Sequence, residues 1–193
     1  MSRGGINLIF ACVAIALALT AGTFLYMNAS QTVVAPAAAG KPQGSVLPED
    51  HPPVDAAERL AALEQMSMKD PQNPEHQAQV ANLYYDLGQY EKAADFYQRS
   101  LRLRPKDPNI ETDLAVCFHY LGQDTKALET LDSVLGYSPG FAPAMFNKGV
   151  ILATAKKDMP GAIVVWESLM RSNPEYARQV GLEQRIRELR GSQ

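Results

Sequence analysis

Cysteine, histidine and tryptophan are scarce in this chain, with two, three and one respectively among 193 residues. Two cysteines cannot build a disulfide framework, and Cys12 sits in an apolar run where it could not meet Cys117. Without a C-x-x-C-H run there is no attachment site for covalently bound c-type haem. Three scattered histidines supply no metal-ligand spacing. The H-E-x-x-H, Walker and Rossmann patterns are absent as well, so neither an enzyme nor a cofactor is implied. An excess of one charge is also missing. With 18 basic against 21 acidic residues, nothing is suited to neutralising phosphates, which argues against a nucleic-acid partner. The apolar share of 46% is enough for a core, so the chain as a whole is not a disordered one.

What is present falls into three parts. Ile6 to Met27 contains no charged residue, and at ~1.5 Å per residue it makes ~33 Å of helix, enough to cross a hydrocarbon core of ~30 Å. Its ten strongly apolar side chains favour insertion by roughly 3 to 6 kcal/mol. A cleaved secretory signal is the rival, since Ala37-Ala38-Ala39 resembles a cleavage site, but it lies well beyond the apolar run and an uncleaved anchor is preferred. Arg3 precedes the span and no basic residue follows it until Lys41. The positive-inside rule therefore puts the N-terminus in the cytoplasm and the rest across the membrane, in the periplasm of a bacterium. Ala14, Ala18 and Gly22 share one face of the span, a spacing that chance explains better than a dimer seam does. Residues 28–53 carry Pro36, Pro42, Pro48, Pro52 and Pro53 with Gly40 and Gly44, and read as an extended tether in which His51 is a solvated residue.

The rest of the chain repeats itself at an offset of 34. Pro71, Pro105 and Pro139 align, as do Gly88 with Gly122 and Ala93 with Ala127; Tyr84, Phe118 and Leu152 keep the register. After one inserted residue near Lys157, Ala162, Trp166, Met170 and Pro174 rejoin it. Each unit reads as two helices. Asn73 and Asp107 cap first helices that start at Pro74 and Pro108, and Gly88 and Gly122 end them. Second helices begin near Tyr90, Asp124 and Asp158, and stop before Pro105, Pro139 and Pro174. Small residues (Ala81, Ala93, Ala115, Ala127, Gly149, Ala162) fall where helices approach closest, and large ones fill between. A helix over 55–69, with Asp55 and Glu58 spaced as a capping box, precedes the units; one helix over 176–189, with arginines on its wet face, follows them.

These residues resemble the tetratricopeptide repeat, whose aromatic, small, alanine and proline positions recur at this period. The expected fold is all-α: an α-solenoid of three such hairpins with capping helices, plus one N-terminal transmembrane helix. The divisions are 1–27 anchor, 28–53 linker, 54–72 capping helix, 73–106, 107–140 and 141–174 repeats, and 175–193 capping helix. Gln77, Glu111 and Met145 replace the family's customary early tryptophan, and Lys148 occupies a usually apolar position. In that family the first helices line the inner surface. Projected onto this chain, its groove positions are Ala78, Asn82, Tyr85, Thr112, Val116, His119, Phe146, Val150 and Ala153, which suit an extended or helical segment of a partner protein. Some relatives grip a terminal carboxylate with lysine, arginine and asparagine. Here only Asn82 matches, with Ala78, Asp113, Pro143 and Asn147 at the other positions, so that clamp is not expected.

Anchor, tether and three repeats together resemble the membrane-bound repeat subunits of bacterial cytochrome c maturation. That likeness implies a periplasmic interaction module in the inner membrane that holds an apocytochrome chain. A scaffold subunit of a membrane or secretion complex is the alternative, and a mitochondrial import receptor with the opposite topology a third. Cys117 reads as a small buried hydrophobe, Trp166 as core, and Arg99, Arg102, Arg104 and Lys106 as a solvated helix end. Phe146→Glu and Val116→Glu are expected to abolish partner capture with helicity intact.

Overall fold

The computed structural model describes residues 55–191; Cys12, the expected span over 6–27, its small-residue face and the tether over 28–53 with His51 lie outside the described residues. Among the described residues there are nine helices and no strand: α1 Ala56–Lys69, α2 Pro74–Asp86, α3 Tyr90–Leu103, α4 Pro108–Tyr120, α5 Asp124–Tyr137, α6 Ala142–Thr154, α7 Met159–Ser172, α8 Pro174–Gln179 and α9 Leu182–Gly191. None of them is long and apolar enough to cross a membrane.

Local chemistry sets most of the helix ends. The Asn73 side chain accepts from the Glu75 N–H at 3.0 Å, and Asp107 accepts from Asn109 and Ile110 at 3.1 and 3.3 Å. Each satisfies N–H groups that the first helical turn leaves without partners, while Pro74 and Pro108 have no N–H to satisfy. Asp158 does the same for Gly161 at 2.9 Å. The capping box expected at Asp55 does not form, since that side chain makes no cap hydrogen bond and the α1 start relies on its backbone. Gly88 and Gly122 adopt φ of 70° and 72°, and the amides of Gln89 and Gln123 return to the carbonyls of Tyr84 and Phe118 at 2.9 and 2.8 Å. In the third hairpin the inserted Lys157 takes the left-handed conformation, φ 56°, without being glycine.

One expectation needs correcting. The helix over 176–189 is two helices, because Gly181 at φ 64° breaks the chain after α8 and redirects it into α9. The amides of Val180 and Gly181 close on Tyr176 and Arg178 carbonyls, both at 3.1 Å, ending α8 cleanly.

The hairpins α2–α3, α4–α5 and α6–α7 stack through α3 on α4 and α5 on α6, with α4 also meeting α6. α1 packs on α2, and α8 and α9 pack on α7. At the close approaches Ala81, Ala93, Ala115, Ala127 and Ala162 are fully buried. Gly149 shows why size matters there: a Cβ on it would lie 2.1 Å from Trp166 Nε1. That indole donates to the Phe146 carbonyl at 3.0 Å and is buried. Two of the departures from the repeat pattern gain a local contact, although the buried Gln77 Oε1 has no hydrogen-bond partner. Buried Gln77 donates to the Pro71 carbonyl at 3.3 Å, and Lys148 reaches Asp132 at 2.5 Å.

Candidate functional site

The nine groove positions divide by environment. Asn82, Tyr85 and His119 are partly exposed, whereas Ala78, Thr112, Val116, Phe146, Val150 and Ala153 are buried. Thr112 turns its hydroxyl back to the Pro108 carbonyl at 2.7 Å, as a threonine one turn into a helix can. Phe146 is at 0% exposure. Its ring stacks on Trp166 at 6.2 Å, meets Tyr176 of α8 edge-on at 6.3 Å, and carries the Arg185 guanidinium of α9 at 5.6 Å. Residues of both C-terminal helices therefore cover the projected groove position Phe146 of the third hairpin. The expectation that Phe146→Glu leaves helicity intact is corrected on this ground: the substitution puts a carboxylate into the core. Val116, 7% exposed, offers a partner little more.

What remains open lies on the first two hairpins, and the sequence reading overlooked half of it. Tyr90, the first residue of α3, stacks on Tyr120, the last of α4, with centroids 4.3 Å apart and planes 9° from parallel. Tyr85 of α2 meets both edge-on, at 5.6 and 6.2 Å, and all three rings are partly exposed. The missed signal was position: Tyr120 directly follows the groove residue His119, and Tyr90 sits just past the Gly88 turn. Three helix ends meeting there hold a tyrosine cluster that no single helix face predicts.

Polar groups border the cluster. The Tyr97 hydroxyl donates to Asn82 Oδ1 at 2.7 Å, fixing the amide at the groove wall. His119 Nδ1 contacts Asp124 Oδ1 at 2.6 Å. Asp113 of α4 is partly buried, and burial, with Asp107 adding to it, pushes its carboxyl up from 3.8 to about 7. Its field in turn reaches Tyr85 on α2, Tyr97 on α3 and Cys117 on its own helix, so it lies among these elements. Burial raises both tyrosines further and pushes the fully buried Cys117 thiol up to about 12, leaving it no nucleophilic character near neutrality. Elsewhere, Arg99 pairs with Asp95 at 2.6 Å and Arg104 with Glu75 and Asp107 at 3.3 and 3.2 Å. No group of three or more candidate metal ligands occurs among the described residues. The arrangement offers ring faces, an amide and carboxylates on a rigid wall, which is the chemistry of recognition.

The family model described as Tetratricopeptide repeat matches residues 78–107, from within α2 to the start of the second hairpin. The crystal structure of MamA superposes with a TM-score of 0.58 at 16% identity, over 70% of this chain and 82% of that one. The helical region is a tetratricopeptide-repeat fold. The first repeat domain of Spaghetti (RPAP3), solved bound to an HSP90 peptide, superposes on it with a TM-score of 0.55 at 18% identity, covering 63% of this chain and 95% of that domain. Among curated proteins, U-box domain-containing protein 70 of Oryza sativa subsp. japonica is 26% identical over 97 residues, which are 50% of this chain and 12% of that protein. The first relatives are much longer proteins, of which the match spans 12% to 22%.

Proposed function

We propose that this protein is a membrane-anchored interaction module that holds a polypeptide segment of a partner along the inner wall of its first two repeats. The observation that carries the reading is the tyrosine cluster of Tyr85, Tyr90 and Tyr120 beside Asn82, a partly exposed aromatic surface fixed by three helix ends. Aromatic side chains bury much area for little entropy on binding, and they dominate such contacts. A domain of similar fold, that of Spaghetti, holds an HSP90 peptide, which supports a peptide as the class of ligand. In this reading residues 6–27 anchor the chain in the inner membrane and residues 28–53 set the reach of the domain on the periplasmic side. An apocytochrome chain awaiting haem is the client that the whole layout resembles.

The test is photocrosslinking of the full-length chain in its membrane, with a benzoyl-phenylalanine replacing Tyr120 in one strain and Val164, exposed on α7, in another. Crosslinks to a protein from position 120 and none from 164 support the groove. The reverse pattern refutes it. A single stoichiometric partner that never exchanges favours the scaffold role over a client holder, and a reporter fused after Gln193 reads the topology independently.

A further inference from the structure

The groove holds a carboxylate with no counter-charge. Among the described residues no cation lies within ion-pair distance of Asp113, and no hydrogen-bond donor to it is found. Several cations of the neighbouring helices have partners elsewhere. Lys92 lies over the Tyr84 ring and Lys126 over the Phe118 ring, Arg99 is with Asp95, Arg104 spans Glu75 and Asp107, and Lys148 is with Asp132. One acid adds to the deficit: Asp107, at the cap of α4, pushes the Asp113 carboxyl in the same direction as burial. Taking a carboxylate out of water without a partner costs free energy, and the chain shows that cost in the acid's reluctance to ionise.

The second observation is the kind of surface next to it. Asp113 acts on Tyr85, and Tyr85 belongs to the ring cluster with Tyr90 and Tyr120. Tyrosine faces attract cations through their quadrupole, and a carboxylate attracts them through charge. An anionic segment is repelled by the same set. At the family's carboxylate-gripping positions Ala78, Asp113, Pro143 and Asn147 present no cation at all. The polarity of the site is thus acidic where a basic one would be needed to hold a chain terminus.

We propose that the inner wall of the first two repeats recognises a lysine or arginine side chain within the partner segment, its cation seated between the Asp113 carboxylate and the Tyr85–Tyr90–Tyr120 rings. This rests on the groove reading above and names the chemistry of its ligand. The bound cation supplies the missing counter-charge, so affinity for basic segments comes from relieving a cost already present in the empty groove. Segments lacking a basic residue gain only the aromatic contacts.

The experiment uses full-length protein in detergent micelles and a phage-displayed library of random dodecapeptides. A tightly selected peptide is then synthesised as such and with each lysine replaced by norleucine or each arginine by citrulline. Enrichment of basic residues is expected, with at least about tenfold weaker binding on neutralising one of them, the scale of a charge-assisted contact. Asp113→Asn should weaken the basic peptide to the same degree and leave the neutralised one unchanged. Selected peptides that lose binding on Tyr120→Ala but ignore both Asp113→Asn and neutralisation would overturn the cation proposal and keep the groove. Peptides indifferent to Tyr120→Ala, or none selected, would remove the groove and this proposal with it. Melting curves of both variants confirm that each is folded.

Discussion

The first and third hairpins present two of their three equivalent groove positions in opposite ways. In the first, Asn82 and Tyr85 are partly exposed and join a polar, aromatic wall; in the third, Val150 and Ala153 at the same repeat positions are buried. The cause is neighbourhood. The Tyr85 ring of α2 meets two other tyrosines and stays partly exposed, whereas Phe146 of α6 is covered by Tyr176 and Arg185 from the helices that end the domain. A stack of repeats must close its last unit or leave apolar surface wet. Here closure buries the projected groove positions of the third hairpin, and the proposed recognition falls to the open part of the stack.

The largest effect expected from this contrast is at Phe146. Phe146→Glu should cost on the order of 4 kcal/mol or more, since it removes a fully buried ring and leaves a charge in its place. Tyr120→Glu, on the open wall, should cost about 1 kcal/mol or less. Urea denaturation followed by circular dichroism measures both. Equal losses would mean that the roof over the third hairpin is absent in solution. Next is Gly149→Ala, whose methyl would collide with the Trp166 indole and disturb its hydrogen bond to Phe146. Overpacking of this kind costs about 1–3 kcal/mol. Tryptophan fluorescence should shift to longer wavelength as the indole is displaced, a change that Gly136→Ala, with open space around its Cβ position, should not produce.

The repeats were legible because sequence period and packing period are the same thing in a solenoid. Gly88, Gly122 and the alanines at helix crossings each answer to a local requirement, and local requirements recur every 34 residues. The site was less legible for the same reason. A projection from one repeat treats all units alike, and so it assigned Phe146 the exposure of an inner-face residue and passed over Tyr90 and Tyr120, which become neighbours only when α2, α3 and α4 are assembled. The break at Gly181 was hidden as well, because Leu182, Ile186 and Leu189 keep a helical spacing on its far side while α8 uses a separate one. Asp113 was visible as a substitution, but its lack of a counter-charge is a property of three helices together.

The smallest effect tests the open wall alone. Asp113 ionises near pH 7 in the folded chain and near 3.8 when unfolded. Below about pH 4 both states keep the proton and the group adds nothing to the pH dependence. Between about 4 and 7 the unfolded chain releases the proton that the folded chain retains, so stability falls as pH rises, and above about 7 the loss is complete. The groups facing it do not blur that window: burial keeps Tyr85, Tyr97 and Cys117 uncharged throughout, while the carboxylate of Asp107 acts in the same direction by repelling a second negative charge. Asp113→Asn removes the penalty. It should stabilise the protein by about 1–2 kcal/mol at pH 8, discounted for partial exposure, and by nothing measurable at pH 3.5. An equal gain at both pH values would mean that the carboxylate is already neutralised in the empty groove, which would leave an incoming cation nothing to relieve.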